Sequence, residues 1–247
     1  MKMHNDYFEI FLADTQESKD INYSIRYQVY CEEMGFENKD DYPSKMEFDE
    51  NDDDGKSVHF IAKNKITGQW VGAMRLIFKQ DDLLPIEQTC KLEEKVRKNN
   101  VYGAVELSRL CLVKDIRRRF KDIDPPHGIT DDLDKQQEND KVLLMPNHQK
   151  ISQMVLWGLL YAAVDYGYSN KIMTSYFMTT AALAKVLKRR GLNLTKLGDS
   201  LQHKGERYPF RMDTSDVYHK NVWKESGFSG GYGLFSRSSE SQLISAA

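Results

Sequence analysis

Cysteine is scarce in this 247-residue chain: Cys31, Cys90 and Cys111 are odd in number and never in C-x-x-C spacing. That excludes a disulfide framework and the common zinc and dithiol motifs, and leaves reduced core thiols. Long apolar runs are missing too. The longest candidate, Met154 to Val164, is too short to span a bilayer. Met1 to Phe11 alternates charged and aromatic residues and lacks the apolar centre of a signal peptide, so a cytoplasmic protein is expected. Neither sign of charge dominates. With 35 basic and 37 acidic residues the net charge is −2, which argues against a general nucleic-acid binder. The chain has no G-x-S-x-G elbow and no H-E-x-x-H. His59, His127, His148 and His203 show no metal-ligand spacing, so neither a serine nucleophile nor a bound metal is expected.

What the chain does have is charge inside apolar segments. Arg26 stands in Arg26-Tyr27-Gln28-Val29-Tyr30, Arg75 in Gly72-Ala73-Met74-Arg75-Leu76, and Glu106 and Arg109 in Glu106-Leu107-Ser108-Arg109. Glu47, Asp49 and Asp52 are close together in an acidic stretch over 37–54. Charges in buried segments are costly unless paired, and perturbed clusters of this kind concentrate at functional sites.

Periodicity organises the rest. Residues 7–12 alternate as a strand, with Phe8, Ile10 and Leu12 on one face. Asp14-Thr15-Gln16-Glu17 reads as a helix start. Ile21, Ile25 and Val29 then repeat every four residues, placing Arg26 and Tyr30 one turn apart. Two antiparallel strands are expected over 58–63 and 69–78, around the Lys65-Ile66-Thr67-Gly68 turn. A short helix over 87–98 and a buried strand over 104–113 follow. Residues 121–145 are a polar insert, either a surface excursion or a lid. Beyond it the pattern gives a long helix over 149–166, a strand over 171–178, a basic helix over 180–190 stopped by Gly191, and strands over 194–201 and 208–212. This order predicts an α/β (α+β) sandwich with one central, mixed, mostly antiparallel sheet flanked by helices. One domain is expected over 1–217, with a partly frayed extension over 218–247.

The charged segments, together with Gly35-Phe36-Glu37 and Ser57-Val58-His59-Phe60, resemble the acyl-homoserine-lactone (autoinducer) synthases. More closely still they resemble the long-chain N-acyl amino acid synthases, in the subgroup of PEP-CTERM/exosortase-associated acyltransferases of the GNAT-like superfamily. The matching pieces span roughly residues 8 to 120, and weaker similarity continues to about residue 210. The resemblance implies a GNAT-like fold and an electrostatic cluster at the active site formed by Arg26, Glu47, Asp49, Asp52, Arg75, Glu106 and Arg109.

Acyl transfer to an amine needs a positioned thioester, a neutral amine and stabilisation of the oxyanion, with no covalent intermediate. Glu47 or Glu106, with a pKa raised by burial and like-charge crowding, is a candidate to take the amine's proton. One of Arg26, Arg75 and Arg109 is a candidate to hold an acceptor carboxylate. A β-bulge in the 104–113 strand, expected by analogy with the fold, would bring Glu106 and Arg109 nearer and open a gap for the donor's pantetheine arm. Ser108 and Leu110 would line that gap. The segment after this strand, Lys114-Asp115-Ile116-Arg117-Arg118-Arg119-Phe120, lacks the glycines of a pyrophosphate loop. Arg117, Arg118 and Arg119 are therefore expected to dock an acidic acyl carrier protein, in preference to binding acyl-coenzyme A. No permanently bound cofactor is expected; the acyl-phosphopantetheine donor is a substrate. Tyr30, Trp157, Met173 and Phe177, with Met154, Leu160 and Met178, are candidates to line the substrate path. The leading expectation is an N-acyltransferase acting on an amino acid or similar amine. The alternatives are a lactone signal synthase using S-adenosylmethionine, and a non-catalytic module that binds ligand or carrier.

Overall fold

Thr15 starts the first helix by a reciprocal cap: its side chain accepts from the Ser18 amide, and the Ser18 hydroxyl accepts from the Thr15 amide. Serine fills the position where glutamate is common. The resulting helix α1, Gln16–Tyr27, passes directly into a π-helical turn over Gln28–Glu33. The four-residue spacing of Ile21, Ile25 and Val29 gave no sign of this widening, which is frequent at functional sites. The computed structural model describes residues 7–80, 83–96, 103–117, 125–129, 148–225 and 231–238.

The strands β1 (Phe8–Leu12), β2 (Ser57–Asn64), β3 (Trp70–Phe78) and β4 (Ala104–Leu112) form an antiparallel run. β5 (Thr174–Thr179) lies parallel to β4, and β8 (Glu206–Asp213) lies antiparallel to β5. Two-residue strands, β6 (Thr195–Lys196) and β7 (Leu201–Gln202), pair with β8. The single strand expected over 194–201 is therefore two separate short pairings, because Leu197 and Gly198 turn into the core between them. The sheet is mixed and mostly antiparallel, with helices on both faces, as its sequence pattern implied.

One face carries α1 and the acidic loop. The other is covered by α4 (His148–Ser169), which packs on β2, β3 and β4. The motif glycine Gly72 is explained by this packing: a Cβ there would lie 2.9 Å from Leu112 Cδ2 and 3.1 Å from Val155 Cγ1 of α4. Between β4 and α4, the one-turn α3 (Lys114–Arg117) packs on α4. The helix expected over 87–98 is replaced, up to the last described residue 96, by the shorter α2, Pro85–Thr89; residues 97 and 98 lie outside the described residues. α5 (Ala181–Arg189) is capped by Thr180 and ended by Gly191 at φ +87°, as anticipated. The short helices α6 (Thr214–Tyr218) and α7 (Val222–Glu225) bring Val217 and Trp223 into the main core. Gly233–Leu234 forms β9, parallel to β1, and Phe235 is buried against Phe11 and Trp70.

Gly72→Ala forces a methyl against Leu112, Val155 and the Cys111 carbonyl. It should cost about 1–3 kcal/mol, read as a lower denaturation midpoint at unchanged m-value in urea titration.

Candidate functional site

Three arginines from three elements converge on one loop. Arg26, at the end of α1 and 0% exposed, donates from Nε to Glu47 at 2.5 Å and makes a bidentate pair with Asp52 at 2.9 and 2.8 Å. Arg75 of β3 makes a bidentate pair with Asp49 at 2.7 and 3.1 Å and also reaches Asp52 at 2.9 Å. Its Nε donates to Ser108 Oγ at 3.0 Å. Arg109 of β4 donates to Glu47 at 3.0 Å and to Asp49 at 3.1 Å, with its guanidinium over the Tyr30 ring. His59 adds a 2.9 Å contact to Asp52. Three positive and three negative groups thus balance within one buried cluster.

Burial alone would raise the pKa of Glu47, but Arg26 and Arg109 outweigh it and hold this carboxyl below its ordinary value. The same competition, won by Arg75 at Asp49 and by His59, Arg26 and Arg75 at Asp52, holds both aspartates low. Glu47 is therefore locked as a carboxylate and is a poor proton acceptor, contrary to one of the two expectations.

Glu106 belongs elsewhere. It is 3% exposed and accepts one hydrogen bond, from the Ile86 amide at 2.8 Å; among the described residues it forms no ion pair. Burial pushes its pKa up to about 7, against the weaker opposing pull of Ile86, Arg75 and Arg109. A carboxyl poised there can take up and release a proton near neutrality.

The register between β3 and β4 slips by one residue. Ala73 pairs with Cys111 and Arg75 with Ser108, so Arg109 and Leu110 together oppose Met74. Arg109 sits at φ +52°, an uncommon conformation for a residue with a side chain. This is the expected bulge. β4 pairs with β5 from Ala104↔Thr174 to Leu107↔Phe177, and the recorded pairing stops there, where the bulge begins.

A cavity of about 290 Å³ occupies this divergence. Ser108, Leu110, Phe177 and Met178 line its seam between the strands. Toward α4 and α5 its wall is apolar, with Leu160, Val164, Leu183, Leu187 and Trp223. Toward the acidic loop it is polar, with Asp49, Arg75, Glu106, Arg109, Lys204 and Arg207. Tyr30 lines it as well.

Several expected residues lie elsewhere. Trp157 is buried behind the wall against Trp223, which takes the lining position instead. Met173 precedes β5 and is 45% exposed. Arg117 turns inward, bonded to Glu33 and, from Nε, to the Leu112 carbonyl at 2.6 Å, and so belongs to no exposed basic surface. Arg118 and Arg119 lie outside the described residues, as does most of the 121–145 insert. Its described part places Pro126 and His127 at the cavity. The buried thiols are inert by burial, which pushes Cys111 up to about 12.

Residues missed as site candidates are His127, His203, Lys204 and Arg207. The last three come from the β7–β8 hairpin, where Lys204 pairs with Glu37 of the Gly35-Phe36-Glu37 segment. A Lys204-Gly205 turn signal was present, but nothing in the sequence tied it to Glu37. Among the described residues no group of His, Cys, Asp and Glu has metal-binding geometry, and no helix is long and apolar enough to cross a membrane.

Residues 25–121 match the family described as the acetyltransferase (GNAT) domain. The chain has the GNAT-like fold. It is similar, at 14% identity and TM-score 0.59, to the structure of a coenzyme-A-dependent acyl-homoserine lactone synthase, BjaI, with SAM and isopentyl-CoA; 92% of each chain is covered. Similarity to TofI in a ternary complex with an inhibitor and MTA is 16% in sequence with TM-score 0.56, over 83% of this chain and 91% of that one. For FeeM, an N-acyl amino acid synthase from uncultured soil microbes, the values are 10% and 0.54, over 90% and 95%. No curated protein sequence matches the chain. At these identities the neighbours speak for the fold, and the GNAT-like bulge and splay are features this chain displays in its own register.

Glu106 links stability to pH. Its folded pKa lies above the ordinary value, so the folded state binds more protons than the unfolded state between about 4.5 and 7, and stability falls as pH rises through that window. Glu106→Gln should remove this slope. The variant should be more stable than wild type at pH 8 by about 3 kcal/mol and close to it at pH 4.5, as checked by denaturation across pH.

Proposed function

We propose that this protein is an N-acyltransferase that moves a fatty acyl group from a carrier thioester to the amine of an amino acid or similar small molecule by direct attack. The observation that carries this reading is the cavity at the β4–β5 divergence, apolar at one end and lined by Glu106 and Arg109 at the other. The acyl chain occupies the apolar lobe, and the thioester lies in the seam beside Ser108 and Leu110. Ser108 Oγ already accepts from Arg75, so its own proton is available for donation to the seam.

In the polar lobe the amine gives a proton to Glu106, directly or through one water. The neutral nitrogen then forms the new C–N bond as the C–S bond breaks, and the second proton that this nitrogen sheds goes to the leaving thiolate, giving the amide and a thiol. No enzyme nucleophile is needed, in keeping with thiols whose pKa burial has raised. The three-arginine cluster fixes the polar wall and keeps it neutral overall.

An acyl carrier protein as donor is supported by a basic surface other than the one expected. Lys185, Lys188, Arg189 and Arg190 of α5 and its C-cap, with Lys196 of β6, are exposed on one side of the apolar lobe. An acidic carrier docked there is attracted at long range, and the attraction weakens with salt.

Mass spectrometry of lipid extracts from cells overproducing the protein should show N-acyl amino acids. Acyl lactones would favour the signal-synthase alternative, and the absence of both would remove the acyltransferase reading. With purified protein, kcat/KM should rise with pH through about 7, following ionisation of Glu106. Glu106→Gln should fold, lose this limb and lower kcat by roughly 10²–10⁴-fold.

Charge reversal of Lys185, Lys188 and Arg189 to Glu should raise KM for the acyl carrier protein by about tenfold at low salt and far less at high salt. Turnover of a small acyl-pantetheine should stay unchanged. Equal loss with both donors would place α5 in the architecture of the site and not in docking.

A further inference from the structure

The cations in the cavity wall differ in what they already hold. Arg75 and Arg109 are saturated by Asp49, Asp52 and Glu47, and Lys204 is held by Glu37. Arg207, where the β7–β8 hairpin enters β8, is different. Its Nη1 donates to the Glu206 carbonyl at 3.2 Å, and among the described residues no carboxylate pairs with it. Arg26 and Arg117, the other arginines drawn into the interior near the site, each have an acidic partner.

Arg207 is partly buried, and its surroundings add no negative charge. The nearby His203 and His127 are kept neutral, first by burial and then by neighbouring arginines that include Arg207 itself. His127 is also fixed as a neutral ring by its hydrogen bonds: Nδ1 accepts from the Ile129 amide at 3.2 Å, and Nε2 lies 3.4 Å from Thr180 Oγ1. Burial disfavours the charge on Arg207 as well. A guanidinium held in a cavity without a counter-charge is built to receive an anion from outside, and its fork matches a carboxylate.

We propose that Arg207 binds the carboxylate of the acceptor and so restricts the enzyme to amines that carry one. This rests on the N-acyltransferase reading above. The three cluster arginines cannot serve, because each would first have to abandon a buried carboxylate. The donor's phosphate is a poorer occupant. It is separated from the thioester by the whole pantetheine arm, and with the acyl carbonyl at the seam it falls outside the cavity, whereas an amino acid's carboxylate is two bonds from the attacking nitrogen. Lys204, pinned to Glu37 and lying over the Tyr30 ring, holds the hairpin in place above this lobe.

The test compares product-like ligands by isothermal titration calorimetry: N-decanoyl conjugates of glycine, leucine and tyrosine, each against its carboxamide. Wild type should bind at least one acid roughly 10–100-fold tighter than its amide, the range of a hydrogen bond to a charged group. Arg207→Gln should abolish that preference while leaving amide affinity and the melting temperature near wild type, and Arg207→Lys should restore part of it. In turnover, Arg207→Gln should raise KM for the amino acid with little change in kcat or in the donor's KM. An acid-to-amide ratio that Arg207→Gln leaves unchanged would overturn the assignment, as would a rise confined to the donor's KM. If wild type binds neither acids nor amides and transfers no decanoyl group, the acyltransferase reading fails first. Binding with transfer but without carboxylate preference sinks the Arg207 inference alone.

Discussion

The loop over residues 47–52 has its position because three arginines grip it from α1, β3 and β4. Each arginine is desolvated to a degree that would be prohibitive alone, and each carboxylate likewise. Only the complete set, with nearly every guanidinium nitrogen hydrogen-bonded, offsets the cost. The network is an all-or-nothing constraint: removing one member leaves its partners charged and buried, which typically costs about 3–5 kcal/mol. It also ties down Arg109 in its left-handed conformation, from which that guanidinium pairs with Glu47 and Asp49. The polar wall of the cavity is thereby rigid before any ligand arrives.

Rigidity at that wall separates the carboxylates by role. Glu47, Asp49 and Asp52 are stabilised as anions, so they shape the electric field and exchange no protons near neutrality. Glu106 lies on the same face of the sheet but beyond the reach of the guanidinium groups, under α2, where burial dominates and, among the described residues, the Ile86 amide is its one hydrogen-bond partner. Four acidic side chains drawn from adjoining segments thus divide into three structural charges and one titrating group. What decides the division is whether an arginine touches the carboxyl.

Much of this was legible in the sequence, and the failures have particular causes. Charges within the apolar β3 and β4 segments announced the cluster, because such residues have no cheap solution except pairing. The exile of Glu106 from it was hidden, since strand alternation gives the face of a side chain but not its neighbours across the ladder. Trp157 was misplaced because α4 is apolar around most of its circumference: Leu156, Leu159, Ala163 and Val164 are all buried, so periodicity selects no single face for the cavity. Met173 failed by one residue of strand boundary. Arg117 reads as surface charge in sequence, and only the fold brings Glu33, 84 positions away, to neutralise it. The hairpin carrying His203, Lys204 and Arg207 was obscured because its first strand, β7, has two residues and leaves almost no alternation to detect.

A single inserted residue at the bulge accounts for the geometry of the whole site. Without it, Arg109 and Glu106 would project from opposite faces of β4, and the ladder to β5 could continue past Leu107. With it, the backbone turns at Arg109, the guanidinium joins the cluster, and the strand leans away from β5. The two faces of the sheet then communicate through one opening. An apolar pocket behind a sheet and a charged pocket in front of it are ordinary and separate features. Joined at the bulge they form one cavity with an apolar end and a charged end, the arrangement that the proposed transfer of an acyl chain to a charged acceptor requires.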